Sequence, residues 1–179
     1  MKKQTKTVLA LDASLSSTGY AIIDYNLKPI LINRICTNTK TSEEERIRTI
    51  VNDIVGLCIV YNINEAVIED QHFSINKKTA MQLSRLRGAI TYALMEKNIT
   101  VSTIAPTTTK KVFCGRGNAS KEDVAAEVLN KYPNNTLIKK IGPFSDKSGK
   151  NKTSDMYDAL CIGYSYIVGN RNEKWFRSL

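Results

Sequence analysis

With 179 residues, 42% of them hydrophobic and 24% charged, the chain has the size and composition of one ordinary globular domain and no room for two full-sized domains with a linker. No stretch reaches the roughly 18 uncharged apolar residues that a helix needs to span a bilayer, which argues against helical channels and transporters. The formal net charge of +9 favours a polyanionic partner, nucleic acid first among them.

The start, Met1-Lys2-Lys3-Gln4-Thr5-Lys6, is basic, but the apolar run behind it is short and broken by Asp12. That makes a poor signal peptide and a good first strand over residues 7–13, so a cytoplasmic protein is expected. Two further β-like runs follow at 18–24 and 29–37, joined by the turn-prone "SLSS" and "YNLK". Connections this short favour antiparallel neighbours. Ser42-Glu43-Glu44-Glu45 has the form of a capping box, and Ile47, Ile50, Val51, Ile54, Val55, Leu57 and Cys58 supply a helical apolar face to about Tyr61.

"EAVIED" at 65–70 reads as a buried strand ending in acid. Beyond it Ala80, Met81, Leu83, Leu86, Ala89, Ile90, Ala93, Leu94 and Met95 recur at helical spacing, with Lys77, Lys78, Arg85 and Arg87 forming a basic flank. A strand at 99–104 comes next, then a short helix opened by Pro106 and a second capped by Ser120 and running to about Lys131. Residues 133–152 mix Pro, Gly, Asn and Ser with five lysines and one aspartate, and are expected to form a flexible basic loop. A final helix starts at Thr153 or Ser154. The order is βββαβαβααα, one domain over 1–179 in which a mixed five-stranded sheet, three antiparallel strands and then αβαβ, is flanked by helices.

Four cysteines, Cys36, Cys58, Cys114 and Cys161, have no C-x-x-C spacing, and the single His72 completes no zinc pattern with them. Reduced, mostly buried thiols are expected. The carboxylates are more informative. Asp155 and Asp158, three apart on the last helix, share a face. The helix dipole explains Asp155, near the N-terminus, better than Asp158. Asp12 and Glu69 each end a buried strand, and in the inferred sheet those strands are neighbours, with the last helix crossing beside them. Four carboxylates then converge. Each taken alone also fits an ordinary structural acid, but together they repel unless cations neutralise them, and all-oxygen donors favour Mg²⁺ or Mn²⁺ over zinc. Two such ions can activate a water on one side of a phosphodiester and stabilise the departing oxygen on the other.

At these residues the chain resembles the RuvC-type Holliday-junction resolvases of the RNase H-like superfamily. "LALDASLSSTGYAII" resembles the family's first-strand motif, "VIEDQHF" the strand-end glutamate, "SDMYDALCIGYSY" the closing D-x-x-D-A helix, and "KKVFCGRGNASKEDV" the lysine and glycine segment. The resemblance implies metal-binding catalytic roles for Asp12, Glu69, Asp155 and Asp158, and places Lys110 and Lys121 at the cleaved strand. It implies a homodimer cutting four-way and other branched DNA by symmetric nicks, with two Mg²⁺ (or Mn²⁺) ions per active site and neither a membrane nor a small-molecule substrate involved. The helix bearing Met81, Leu83, Leu86, Ile90 and Leu94 is a candidate interface and equally reads as ordinary core. Lys77, Lys78, Arg85, Arg87, Lys111 and Arg116, with the two catalytic lysines, are expected to track DNA phosphates. Phe73, with His72, is a candidate for stacking on an unpaired base, or else a core anchor. Where bacterial members carry Pro-Gly after the first aspartate, this chain has Ala13-Ser14, which implies a divergent branch of the phage-encoded kind. Two rivals stay open: an RNase H-like nuclease acting on RNA–DNA hybrids, and a non-catalytic architectural protein that binds junctions.

Overall fold

A computed structural model describes residues 6–70, 77–146 and 152–171. Strands β1 (Thr7–Asp12), β2 (Ser17–Asp24), β3 (Pro29–Cys36), β4 (Glu65–Glu69) and β5 (Thr100–Ile104) form one sheet in the order β3-β2-β1-β4-β5. The first three strands are antiparallel neighbours, whereas β4 runs parallel to both β1 and β5. Helices α1 (Glu43–Val60) and α2 (Lys77–Met95) are the crossovers that make those parallel pairings possible. After β5 come α3 (Pro106–Cys114), α4 (Lys121–Lys131), α5 (Thr136–Ile141) and α6 (Ser154–Arg171).

Alternation along β1 divides the interior into two cores. Leu9 and Leu11 face α1 and α2, packing with Ile50, Ile54, Leu86, Ile90 and Leu94, while Val8 and Ala10 face α6, packing with Leu160, Ile162 and Ile167. Each fully buried aliphatic side chain contributes roughly 1.5–3 kcal/mol. Helix α6 is apolar nearly all round because it lies between the sheet and helices α3 and α4. It comes close because of two glycines. A Cβ on Gly163 would lie 2.5 Å from Ile23 Cδ1, and one on Gly19 would lie 1.9 Å from the backbone oxygen of Asp155.

The expected elements form within a residue or two of their expected ends. The final run needs correction, because 133–152 is not loop throughout. Asn135 caps α5 by accepting from the Leu137 and Ile138 N–H groups, Ile138 is buried, and the order is therefore βββαβαβαααα. Residues 147–151 of that segment lie outside the described residues. Ser42 accepts from Glu45 N–H as a simple N-cap, whereas the reciprocal box forms at Ser120 and Asp123. All four cysteines are free, but only Cys58 and Cys161 are buried; Cys36 is exposed and Cys114 half-buried.

Candidate active site

The site lies at the carboxyl edge of the parallel strands, where adjacent strand ends leave a crevice. Leu11 pairs with Ile68, so Asp12 and Glu69, one residue further on, end neighbouring strands side by side. Across the sheet Asp12 pairs with Gly19, the residue whose missing side chain admits the first turn of α6. That contact brings Asp155 beside Asp12. The chain after Asp12 is clasped by Thr18, whose hydroxyl donates to the Ser14 carbonyl at 2.6 Å and accepts from the Ser14 N–H at 3.2 Å. The start of α6 is tied down as well: Thr153 and Ser154 N–H donate to the Ser145 carbonyl at 2.9 and 3.1 Å.

The carboxylates act on one another. Burial pushes Asp12 well above the usual carboxylate range, and the charges of Asp158, Glu69 and Asp155 push the same way against Lys121. Glu69 rises to about 7, through burial first and Asp158 second, with Lys110 and Lys121 opposing. Asp158 is also raised, mainly by burial, against the pull of Lys121. The four acids, from three elements, therefore lie near enough to feel one another's charge.

Two lysines touch the α6 pair. Lys152 Nζ lies 2.6 Å from Asp155 Oδ1, and Lys121 Nζ lies 3.6 Å from Asp158 and 3.3 Å from Asp146. Burial works against the charge of Lys121, yet Asp158 and Asp146 hold its ammonium above its ordinary value. The glycine segment explains how Lys110 and Lys121 come to the same side: Gly115 ends α3 at φ 80°, a left-handed turn, and α4 starts six residues later.

These donors suit a divalent cation. All four are hard oxygens, and Asp155 Oδ2 is buried without a hydrogen-bond partner. Among the described residues no three acids, cysteines or histidines are drawn tightly enough together to hold an ion as they stand; Lys152 and Lys121 each hold one of the α6 carboxylates instead.

A cleft of about 420 Å³ leads away from Asp12 and Asp155, walled by Ser14, Ser16, Arg46, Thr79 and Gln82, with Lys121 and Lys152 at its edge. Arg46 escaped the sequence reading, where it was one polar position on an amphipathic helix. Here its Nε donates to Thr37 Oγ1 at 2.9 Å and its Nη2 to Ser16 Oγ at 3.1 Å, so two hydroxyls rather than a carboxylate hold the guanidinium at the cleft. Its signal in the sequence was position alone, in the first turn after an N-cap.

The other basic candidates divide. Arg85 pairs with Glu43 at 3.1 Å, Arg87 with Asp70 at 2.8 Å and Arg116 with Asp123 at 2.7 Å, with more than half of the Arg85 and Arg116 side chains exposed. Lys77, Lys78 and Lys111 are exposed, the first two in the first turn of α2 beside Thr79. Phe73 and His72 lie outside the described residues. Of the candidate interface positions, Leu86, Ile90 and Leu94 are core, Leu83 lines the cleft and only Met81 is exposed.

A model of the family "Crossover junction endodeoxyribonuclease RuvC" matches residues 8–141. The RuvC of Dechloromonas aromatica (strain RCB) is 30% identical over 174 residues, covering 96% of this chain and 89% of that protein. The RuvC of Helicobacter pylori (strain G27) is 32% identical over 120 residues, 66% of this chain and 76% of that one. Among solved structures, Thermus thermophilus RuvC aligns with a TM-score of 0.72 at 18% identity, over 93% of this chain and 96% of that one. The yeast mitochondrial Holliday junction resolvase Ydc2 aligns at 0.68 and 16%, over 97% and 82%. The fold is RNase H-like.

Proposed function

The chain belongs to the RuvC family of crossover junction endodeoxyribonucleases, and from that membership we propose that it is a metal-dependent endonuclease that resolves four-way (Holliday) DNA junctions. The observation that supports the reading is that Asp12, Glu69, Asp155 and Asp158 act on one another's charge beside Lys110 and Lys121, while Asp12, Asp155 and Lys121 line a cleft of about 420 Å³. Two divalent ions, Mg²⁺ or Mn²⁺, held by those four carboxylates would supply a nucleophilic water and stabilise the oxygen that departs as the phosphodiester is hydrolysed.

The chain's own residues do the rest. Asp12 and Glu69 are fixed by strand ends, and Asp155 and Asp158 by a helix whose first turn is pinned to β2, so the adjustment on binding an ion falls to side chains, with Lys152 and Lys121 yielding the α6 carboxylates. Lys121 sits where a scissile phosphate would bring negative charge, and its ammonium can offset the charge that grows as the bond to water forms and the bond to the leaving oxygen breaks. Arg46, held by Ser16 and Thr37, retains N–H donors for the next phosphate along the cleft. Lys77 opens α2, where the helix dipole disfavours positive charge by about 0.3–1 kcal/mol; a passing phosphate backbone would offset that cost, and Lys78 stands beside it. Phe73 is assigned to stacking on an unpaired base at the junction centre, and Phe73→Ala should impair junction opening.

Cutting two strands of matching polarity needs two sites, and we assign a two-fold homodimer. The solvent face of α2 offers Met81, Gly88, Tyr92 and Met95 in line, the three larger side chains 57%, 67% and 62% exposed. Tyr92→Glu should leave a monomer by sedimentation and uncouple the paired nicks. Four unpaired cysteines suit the reducing cytoplasm, where we place the protein.

The test is end-labelled four-way junction, matched linear duplex and RNA–DNA hybrid, each with Mg²⁺ or EDTA. Paired, metal-dependent nicks confined to the junction are expected. Cutting of the hybrid alone would make this a ribonuclease of the same fold, and tight junction binding without cutting would make it an architectural protein.

A further inference from the structure

Asp155 is the most enclosed of the four acids, its side chain 3% exposed, and it cannot withdraw. Its backbone rests against Gly19, and the turn before it is bonded to Ser145. One carboxylate oxygen, Oδ2, has no partner, while the other lies 2.6 Å from the ammonium of Lys152. Lys152 precedes α6 and keeps 27% of its side chain exposed, so it can leave Asp155 for solvent or for a phosphate without disturbing the helix. Lys121 differs: it is shared between Asp158 and Asp146 and belongs to a helix of its own.

We propose that Lys152 is a displaceable counterion of the active site, neutralising Asp155 in the metal-free protein and competing with the divalent cation for Asp155 Oδ1. This rests on the metal-nuclease reading above. A buried carboxylate that stays ionised needs a neutralising partner, and here the chain carries its own. The ammonium must yield when a cation arrives, so metal affinity is set partly by how readily Lys152 lets go. A purely structural role, in which Lys152 aims Asp155 at the metal, predicts the opposite sign.

Mn²⁺ binding to the DNA-free protein, followed by the loss of the free-ion EPR signal and by calorimetry, separates the two. Lys152→Ala is expected to bind Mn²⁺ roughly three- to tenfold more tightly than wild type, Lys152→Arg about as weakly as wild type, and Lys139→Ala, which removes the same charge from α5, without change. Metal-free Lys152→Ala is expected to melt below wild type and to regain the difference when Mn²⁺ is added. Equal or weaker binding by Lys152→Ala, or an equal gain in Lys139→Ala, would overturn the proposal. Wild type that binds no Mn²⁺ would instead defeat the metal-centre reading itself, and the proposal with it.

Discussion

Glu65 and Glu69 stand at opposite ends of one five-residue strand, β4, and their surroundings are opposed. Glu65 accepts from Tyr166 at 2.6 Å and Tyr25 at 2.7 Å, and pairs with Lys6 at 2.9 Å. Burial works against its charge, yet those three donors hold its carboxyl below the usual range. Among the described residues Glu69 accepts no such set of donors: burial first and the charge of Asp158 second lift its carboxyl to about 7, against Lys110 and Lys121. A carboxylate that stabilises a fold is surrounded by donors; one kept beside other acids destabilises the fold unless something binds it.

The comparison breaks most visibly under substitution. Glu69→Gln should lower junction cutting by on the order of 10³-fold, the upper range for losing one electrostatic contact to a transition state, and leave the metal-free protein as stable as wild type or more so. Glu65→Gln should do the reverse: cutting within a few-fold of wild type and a loss of about 1–3 kcal/mol in denaturant unfolding, as an ion pair and a strong hydrogen bond weaken. If both variants lost activity and stability alike, the distinction between the two ends of β4 would fail.

Next in size is Gly19→Ala. Its Cβ would meet the Asp155 carbonyl, so α6 must shift from the sheet. A loss on the order of 3 kcal/mol is expected, with cutting reduced further than stability explains because Asp155 moves away from Asp12. Calorimetric melting beside single-turnover cutting measures both.

The pH dependence has a definite sign. A folded Glu69 that titrates near 7 retains its proton between about 4.5 and 7 while the unfolded chain has lost it, so the folded state binds more protons there. Its contribution is present below about 4.5 and lost as pH rises through 7, and Asp12 acts in the same sense. Metal-free protein should therefore lose stability across that window, by on the order of 1–3 kcal/mol, more shallowly in Glu69→Gln. Cutting should rise over the same range, since the ionised acids are the metal-binding form. The smallest effect sits in the cleft: Arg46→Ala should weaken junction binding and reduce the slope of log affinity against log salt by about 1, with cutting at saturation nearly intact.

Much of this was readable in the residues. Apolar periodicity and caps located the strands and most helices, because Ser42, Ser120 and Pro106 mark helix starts by satisfying or removing orphan N–H groups. The acids stood out because a carboxylate ending a buried strand, or inside an apolar helix, is costly unless used. Helix α5 was lost in a Pro, Gly and Lys-rich stretch, although Asn135 before Leu137, Ile138 and Ile141 carried a weak cap and spacing. Register was the larger gap. No local pattern pairs Asp12 with Gly19, nor tells that Arg46 would be held by Ser16 and Thr37, or that Arg85, Arg87 and Arg116 would be engaged by acids distant in sequence or across a turn. Those contacts depend on how whole elements cross.

The most direct test of the central claim is an anomalous difference map from crystals soaked in Mn²⁺. Two peaks about 3.5–4 Å apart among Asp12, Glu69, Asp155 and Asp158 are expected, lost or reduced to one in Glu69→Gln and retained in Glu65→Gln. Peaks elsewhere, or none at these four carboxylates, would contradict the account.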